Sequence, residues 1–391
     1  MRKPYERKIY FAMALDPIHI GTGGYTLGRV DNPILRDSDG VPKIPGTSIE
    51  GVCRTYEYLQ GLGKNVACAK GKKTRVNGKE IQPCGECYIC EVHGFTREDR
   101  SRQGLALFSD AKVLFFSVAS LAGPVWITCP GRLKELNVNQ SAWQDLSQSE
   151  FCMVSKDLKS KLNKVGYLNL GWVLLRLKKN GEILTHNITS ETTFEIDGIE
   201  LKFKDRGLNL EDVFKRLVIV SDYVFSQIVN SNLEIRTSVS IDPITGAAEE
   251  GALFTYEAIP RATIFYFDVT YQRPEHFRSS LKLEDAISTV ETGFKLFESL
   301  GVGGMGTRGF GRLKVFGLDG RLDTVKLNEI YARNLLDEVR ELEGMLKEAK
   351  PEEKHTIEAR INKLKERIRQ ANEEFQKLAS IWEKVSREVE K

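Results

Sequence analysis

The sequence lacks an unbroken hydrophobic run of the about 20 residues that a membrane-spanning helix takes. The apolar stretch nearest the N-terminus covers only residues 9–15, and no small-residue cleavage site follows it. A surplus of one charge sign is also missing, because 57 Lys and Arg residues face 54 Asp and Glu residues. We therefore expect a cytoplasmic protein without membrane contacts. It should not coat nucleic acid by bulk electrostatics, although a local basic groove is compatible with this balance.

Cysteine is scarce outside one short segment, and the seven cysteines are an odd number. Since no export segment accompanies them, this excludes a secreted disulfide framework. Three isolated cysteines, Cys53, Cys129 and Cys152, are predicted to be small core residues. The other four crowd into positions 68–90, which indicates metal binding in a reducing compartment.

The crowded cysteines have the spacing of a tetrahedral zinc site. A CxxC turn lets two thiolates converge on one ion, and the segment CGECYIC at 84–90 is built from such turns. No HExxH element, which would indicate a catalytic zinc, is present. The predicted site is therefore a structural Zn²⁺, with His93 as a spare donor and an iron–sulfur cluster as the alternative. Its predicted ligands are Cys68, Cys84, Cys87 and Cys90.

The chain divides into three regions by pattern. Residues 1–322 mix strand-like and helix-like segments without clean βαβ repeats, which predicts an α+β body with a ferredoxin-like core. Residues 61–104 form an insertion without apolar periodicity that needs a metal staple. Residues 323–391 carry apolar positions spaced by four and three, which predicts an antiparallel helical hairpin with a coiled-coil seam. The predicted strands are 8–15, 112–116, 125–128, 264–271 and 311–316, and the predicted helices are 46–60, 212–230 and 283–300.

A loop with six glycines follows a predicted helix at 301–311. Its helix–loop–strand order and the missing GK[ST] exclude a P-loop and a dinucleotide fingerprint. Glycines let a ligand approach the backbone, and Arg308 and Arg312 add guanidinium groups, so the loop predicts phosphate contacts; a mobile turn is the alternative. A helix beginning near Thr47 and Ser48 would offer free N–H groups to a second phosphate.

Several motifs occur together in one order: GTGG, VDNPILRD, IPGTSIEGVCR, CGECYIC, LALFSDA and GVGGMGTRGFGRL. In this order the chain resembles the RAMP superfamily of CRISPR effector proteins over about residues 8–316. Two longer segments, LFFSVASLAGPVWITCP and DPITGAAEEGALF, are similar to the repeating backbone subunit (Cas7 group) of type III complexes. The likeness is greater to the Cmr (III-B) branch than to the Csm branch.

The resemblance implies a modified RRM-like core with two insertions, a zinc-stapled lid at 61–104 and a β-hairpin thumb at 230–257. It implies that copies of the chain stack in a filament along a CRISPR RNA, beside other effector subunits, and pair that guide with target RNA. The thumb would wedge Ile241 and its apolar neighbours into the guide–target duplex. The tail at 323–391 is not part of the family core, and it either binds a protein neighbour or packs on the body.

The family's nuclease residue is an aspartate in the loop after the first strand, and the matching position is Asp31. It would deprotonate the ribose 2′-hydroxyl or hold Mg²⁺ or Mn²⁺ for RNA cleavage, with His19 or Arg29 as helpers. From the residues alone, Asp31 before Asn-Pro is also a common turn starter. Two other functions stay open: an architectural guide-RNA-binding subunit without nuclease activity, and a CRISPR RNA-processing endonuclease that acts alone.

The predicted RNA contacts lie in the glycine-rich segments, the first helix and the thumb. Family members usually carry Lys where this chain has Glu50, so either Glu50 points away from the guide or Ser48 and Arg54 make the contact. The predicted contacts are His19, Gly23, Gly24, Arg29, Ser48, Arg54, Ile241, Gly303, Gly304, Arg308 and Arg312.

Overall fold

The computed structural model describes residues 3–23, 30–136, 146, 150–162, 165–183, 185–187, 193–196, 199–202, 211–277, 279, 281–318, 324–349, 351 and 353–369. The strands are β1 Tyr5–Ala14, β2 Lys43–Ile44, β3 Thr74–Val76, β4 Lys79–Ile81, β5 Gly94–Thr96, β6 Ser101–Gln103, β7 Ala106–Phe108, β8 Ala111–Val118, β9 Val125–Thr128, β10 Phe151–Ser155, β11 Tyr167–Leu170, β12 Val173–Ile183, β13 Thr185–Asn187, β14 Thr193–Ile196, β15 Ile199–Lys202, β16 Leu217–Ile219, β17 Glu234–Ile241, β18 Ala248–Ala258, β19 Ile264–Gln272 and β20 Leu313–Val315. The helices are α1 Gly46–Leu59, α2 Val66–Lys70, α3 Tyr88–His93, α4 Pro130–Glu135, α5 Lys156–Leu162, α6 Glu211–Lys215, α7 Asp222–Ser231, α8 Leu283–Lys295, α9 Phe297–Leu300 and α10 Thr324–Glu348.

The body is built on a mixed sheet of 11 strands. Nine of them follow the order β11-β12-β10-β16-β9-β8-β19-β1-β20, while β2 pairs with β8 and β7 pairs with β19. Within it, β20-β1-β19-β8 with α1 and α8 as the connecting helices is the order of a βαββαβ unit. The longest pairing joins β1 to β19 antiparallel over nine residue pairs, from Tyr5↔Gln272 to Met13↔Ile264. Two segments about 250 residues apart in the sequence thus pair as neighbouring strands of the sheet.

Side-chain alternation gives the sheet two buried faces. On one face Tyr10 and Ala12 of β1 lie beside Phe265 and Phe267 of β19, in a core that also takes the apolar stripe of α8. On the other face Met13, Ile264 and Tyr266 pack in a second core with residues of α4 and α6. The isolated cysteines Cys53, Cys129 and Cys152 are buried, as predicted.

The helix predicted over 212–230 is wrong. Residues 217–219 instead form β16, which pairs parallel with β9 and antiparallel with β10. The run Leu217-Val218-Ile219 is buried on every side, as a strand in the middle of a covered sheet is. The residues before and after β16 form two separate helices, α6 and α7. The helix predicted over 283–300 is likewise two helices, which meet at Leu296.

Two smaller units project from the body. Strands β17 and β18 form a separate antiparallel hairpin, paired from Glu234↔Ala258 to Ile241↔Ala248. The second unit is the segment between α1 and β7, which contains α2, α3 and two short hairpins. It has a small core of its own that includes Leu62, Ile89 and Phe95.

The tail follows the predicted seam over its described part. Helix α10 packs against a second helix at 353–369 through apolar residues from both, and because the connection is so short the two run antiparallel. The Asn334 side chain donates to the Gly61 carbonyl at 2.6 Å, so α10 contacts the body beside the lid. The heptad positions beyond residue 369 lie outside the described residues. The seam residues are Leu335, Val339, Leu342, Ile361 and Leu364.

In the part of the chain described, no helix is both long and apolar enough to cross a bilayer.

Phe294 of α8 tests this packing. Its ring, 1% exposed, makes edge contacts with Tyr10, Phe267 and Phe297. Phe294→Ala should lower the free energy of unfolding by about 3–5 kcal/mol, because a cavity opens between helix and sheet. Denaturant unfolding measures this. The control Leu121→Ala, at a position 89% exposed, should change the same quantity by no more than about 0.5 kcal/mol. Equal effects of the two substitutions would contradict the assigned core.

Candidate functional site

The loop after β1 is tied to the base of the β17–β18 hairpin through Asp31. Its Oδ2 accepts hydrogen bonds from the Thr255 backbone N–H at 2.7 Å and from the Thr255 hydroxyl at 3.0 Å. The same hydroxyl accepts the Asp31 N–H at 3.1 Å. Next to it Asn32 forms a parallel bridge with Tyr256. The loop therefore lies along β18 like a short added strand, with the Asp31 carboxylate in a defined position.

These hydrogen bonds also determine the charge of Asp31. The N–H of Thr255, followed by its hydroxyl, stabilises the carboxylate and lowers the pKa of Asp31 below its ordinary value of 3.8. Asp31 is thus ionised at neutral pH. An ionised carboxylate with a lowered pKa is a weak base but a suitable oxygen ligand for a hard divalent cation.

His19 contacts the same strand two residues further along. Its Nδ1 is 2.6 Å from the Glu257 carbonyl oxygen. A carbonyl only accepts, so Nδ1 carries the proton, and in the neutral ring Nε2 carries the lone pair. The His19 ring also contacts Tyr256 edge-on, with the ring centroids 6.1 Å apart. One strand of the hairpin therefore orients both Asp31 and His19.

The glycine-rich loop packs directly on His19. The Gly304 N–H donates to the His19 carbonyl at 2.9 Å. A Cβ on Gly303 would lie 2.6 Å from that same carbonyl oxygen, and the φ of Gly303 is +93°. Only glycine fits this close approach. Both glycines are exposed on their outer side, so their backbone is open to a ligand.

Aromatic contacts join the glycine-rich loop to the hairpin base. The Phe310 ring lies 5.6 Å from the Tyr256 ring, and the Arg236 guanidinium lies 4.6 Å from the centre of Phe310. A second anchor is Arg36, which donates to both carboxylate oxygens of Glu257 at 2.9 and 3.0 Å. The Asp31 loop, the glycine-rich loop and the hairpin base are therefore one packed site.

Beyond its base, the hairpin exposes apolar side chains. Ile244 at the tip is 92% exposed, and the strands add further exposed aliphatic residues. Such a row on a projecting hairpin is unusual for a solvated surface and is typical of a contact surface. The exposed residues of the strands are Ile235, Val239, Ile241 and Leu253.

The four clustered cysteines converge on one point. Their Sγ atoms all lie within 4.8 Å of one another, and those of Cys84 and Cys90 are 3.9 Å apart. Tetrahedral zinc with bonds of about 2.3 Å to sulfur requires sulfur–sulfur distances of about 3.8 Å. Backbone N–H groups of Cys84 and Cys87 point at cluster sulfurs, as they do around thiolates. The donor set and its spacing therefore fit a single zinc ion.

Comparison with known proteins decides the family, since the model of the RAMP superfamily matches residues 12–314. The chain belongs to the RAMP superfamily. It is 30% identical over 261 residues to the CRISPR system Cmr endoribonuclease Cmr4 of Pyrococcus furiosus, covering 64% of this chain and 77% of that protein. These likenesses confirm the predicted Cas7-type backbone subunit of the III-B branch.

The RAMP fold is also found among solved structures. A chain of the type III-B Cmr-beta complex in its apo state superposes with a TM-score of 0.51 at 16% identity, over 81% of this chain and 98% of that one. A chain of type III-B Cmr-beta bound to cognate target RNA gives a TM-score of 0.52 at 15% identity, over 80% and 98%. At such identities the likeness concerns the fold alone.

The predicted site residues of this RAMP chain do not all come together. Asp31, His19, Gly303 and Gly304 do, around the hairpin base. The other predicted RNA contacts that the structure describes vary in exposure: Gly23 is exposed with a φ of +83°, Ser48 is half-buried in the first turn of α1, Ile241 is exposed at the end of β17, and Arg308 is exposed on the glycine-rich loop. Gly24 and Arg29 lie outside the described residues.

Three predicted phosphate contacts are engaged within the protein and need correction: Arg54, the start of α1 and Arg312. Arg54 is only 7% exposed and donates to the carbonyls of Cys68 and Gly94, so it ties the lid to α1 instead of facing RNA. At the start of α1 the cap residue is Pro45, and the Gly46 N–H already donates to the Asp110 carboxylate at 2.8 Å. Arg312 is half-exposed but forms a two-bond ion pair with Asp16.

His93, predicted as a spare zinc donor, is a buried histidine that holds the lid in place. The Nδ1 of His93 lies 2.9 Å from Glu50, and its Nε2 lies 2.8 Å from Glu57. Glu50 is therefore engaged by His93. Burial lowers the pKa of His93, but the Glu57 charge and the hydrogen bonds that the ring donates to both glutamates outweigh burial and raise the pKa to about 9. Glu50 and Glu57 are seven residues apart on α1, hence on one face, and that spacing was the available signal.

The His93 contacts predict a pH-dependent stability. Since the pKa rises from 6.5 to about 9 on folding, protonated His93 stabilises the fold fully below pH 6.5, and this contribution is lost as the pH rises through about 9. Thermal unfolding across this window should show a decline in melting temperature. The decline should be smaller in His93→Gln. His276→Gln, an exposed histidine, is the control and should keep the native slope; an unchanged slope in His93→Gln would refute the assignment.

Proposed function

We propose that this chain is a CRISPR RNA-binding backbone subunit of a type III-B effector complex, and that within the complex it cleaves complementary target RNA at regular intervals. One observation supports cleavage above all: the ionised Asp31 carboxylate is held by Thr255 at the base of an exposed apolar hairpin. The Pyrococcus relative is named an endoribonuclease, and a chain of similar fold belongs to a complex with cognate target RNA. Copies of the chain would line the guide beside other effector subunits.

The surface around Asp31 suits an RNA backbone. Gly303 and Gly304 expose their main chain, and Arg308 on the same loop is exposed, so phosphates can approach N–H groups and one guanidinium. The hairpin adds apolar side chains such as Ile241 and Ile244. An apolar wedge can offset the few kcal/mol that unstacking one base step costs. Because the glycine-rich loop contacts the base of the hairpin, the apolar side chains of the hairpin and the phosphate-binding groups of the loop would act on the same stretch of RNA.

Cleavage at this site would use the ribose next to the scissile phosphate. Its 2′-oxygen attacks the phosphorus, the bond from phosphorus to the 5′-oxygen breaks, and a cyclic phosphate and a 5′-hydroxyl result. The 2′-hydroxyl thus loses a proton and the departing 5′-oxygen gains one. His19 is the candidate proton acceptor at Nε2, because its Nδ1–H is held by the Glu257 carbonyl.

Of the two roles predicted for Asp31, the lowered pKa favours the metal ligand over the general base. Asp31 would hold Mg²⁺ or Mn²⁺. Such an ion, when bound, would neutralise charge that develops on the phosphate oxygens. The protein's own contribution is to keep the carboxylate ionised and oriented, through the N–H and hydroxyl of Thr255.

A second candidate function is an architectural guide-RNA-binding subunit without nuclease activity. The hydrogen bonds between Asp31 and Thr255 favour it too, because they are also what an aspartate with a purely structural role would make. The two functions share the RNA surface and differ only in whether target RNA is cut.

Asp31→Asn separates the two functions. It keeps the size and one carbonyl acceptor for Thr255 but removes the charge. In the reconstituted complex with guide RNA, we expect the rate of target cleavage to fall by about 10²-fold or more, with target binding unchanged. Gel analysis of regularly spaced products measures this. Asp157→Asn, an exposed aspartate on α5, is the control. If Asp31→Asn cuts at the native rate, the architectural function stands.

We further propose that Cys68, Cys84, Cys87 and Cys90 hold a structural Zn²⁺ that staples the lid. The convergence of the sulfurs on one point supports a single ion, whereas an iron–sulfur cluster interposes its own iron and sulfide between the cysteines. The lid core contains Leu62, Ile89 and Phe95 besides the cysteines themselves. So small a core cannot stabilise the segment without the ion.

Elemental analysis tests this staple. The purified protein should contain about one zinc per chain, and the double variant Cys84→Ser with Cys87→Ser should contain none and be cut by proteases within 61–104. Cys152→Ser, a buried cysteine outside the cluster, should keep its zinc. Iron with visible absorbance in the native protein would refute the zinc assignment.

A further inference from the structure

The last residues of β18 face two different partners in alternation. Tyr256 and Ala258 turn towards Phe310 of the glycine-rich loop. Thr255 and Glu257 turn towards the loop after β1, as successive strand residues point to opposite sides. The strand is thus inserted between the two loops that form the site, and its side chains contact the two loops in alternation.

Thr255 makes three hydrogen bonds with Asp31. Its hydroxyl donates to Oδ2 at 3.0 Å and accepts the Asp31 N–H at 3.1 Å, while its own N–H donates to Oδ2 at 2.7 Å. A hydroxyl has one proton to donate and lone pairs to accept with, so both of its roles are satisfied. It therefore constrains the Asp31 main chain and carboxylate together, and valine could replace its shape but neither hydrogen bond.

Strand β18, which carries Thr255, is one of the two strands of the hairpin. Its cross-strand partner on β17 is Thr237, and the pairing runs on to Ile241↔Ala248 near the tip. On the other side Glu257 is bound by Arg36, whose Nε donates to Asn230 at 2.8 Å. Thr255 thus lies between an anchored end and the projecting part of the hairpin.

We propose that Thr255 is a positioning residue for RNA cleavage, whose hydroxyl orients the Asp31 carboxylate towards the scissile phosphate and couples it to the hairpin. This rests on the proposed nuclease function. Thr255 does not touch the RNA in this role. It acts through Asp31, and its loss should slow the chemical step without weakening the capture of target RNA.

A pair of substitutions at Thr255 tests the proposal in the reconstituted complex with guide RNA and Mg²⁺. Thr255→Val removes the hydroxyl and keeps the branched shape, and Thr255→Ser keeps the hydroxyl. We expect Thr255→Val to lower the single-turnover cleavage rate by about 10-fold, the size of one hydrogen bond to a charged group. Target affinity should stay native. Thr255→Ser should restore the rate to within about twofold. Thr237→Val, the same change directly across the hairpin and on an exposed residue, is the matched control.

The outcomes separate this inference from the function on which it rests. If Asp31→Asn abolishes cleavage while Thr255→Val cuts at the native rate, the inference is wrong and the nuclease function stands. If Asp31→Asn cuts normally, both fall. A slow Thr255→Ser, a slow Thr237→Val or a loss of target affinity in Thr255→Val would show a general structural effect and overturn the inference. Combining Thr255→Val with Asp31→Asn should add nothing to the effect of Asp31→Asn, because both act on one carboxylate.

Discussion

The antiparallel pairing of β1 with β19 is the constraint on which the site depends. It continues past both strands with the antiparallel bridge between Ile18 and Ile259. The chain then returns, and Asn32 forms a parallel bridge with Tyr256. A slip of one residue would move the side chains of the shifted strand from one buried face of the sheet to the other. The pairing that buries the core therefore also brings the loop that carries Asp31 to β18, where Asp31 lies beside Thr255.

The distribution of charge explains how a nearly neutral chain can have an RNA surface. Several arginines are engaged within the protein: Arg36 with Glu257, Arg54 with lid carbonyls and Arg312 with Asp16. The glycine-rich loop instead exposes main chain and Arg308. Binding would then depend more on backbone donors and on apolar contacts of the hairpin than on a field of positive charge.

The sequence predicted local features well and buried partners poorly. The strand predicted at 125–128 agrees with β9, and the helix predicted at 46–60 ends one residue beyond α1. The helix at 212–230 failed because the three residues of β16 are stabilised by β9 and β10, which are distant in the chain. Arg54 was misassigned for a similar reason: whether an arginine on a helix faces solvent depends on what packs over it, here the lid.

By itself the sequence determined the spacing of the four cysteines, the alternation of the central strands, the glycine-rich loop and the heptads of the tail. All of these are patterns within a few turns or strands, so local chemistry is enough to produce them. Only the tertiary structure decided that Asp31 meets Thr255, 224 residues away, and that His93 is bound between Glu50 and Glu57. Such contacts depend on the register and packing of distant elements, which no local pattern encodes.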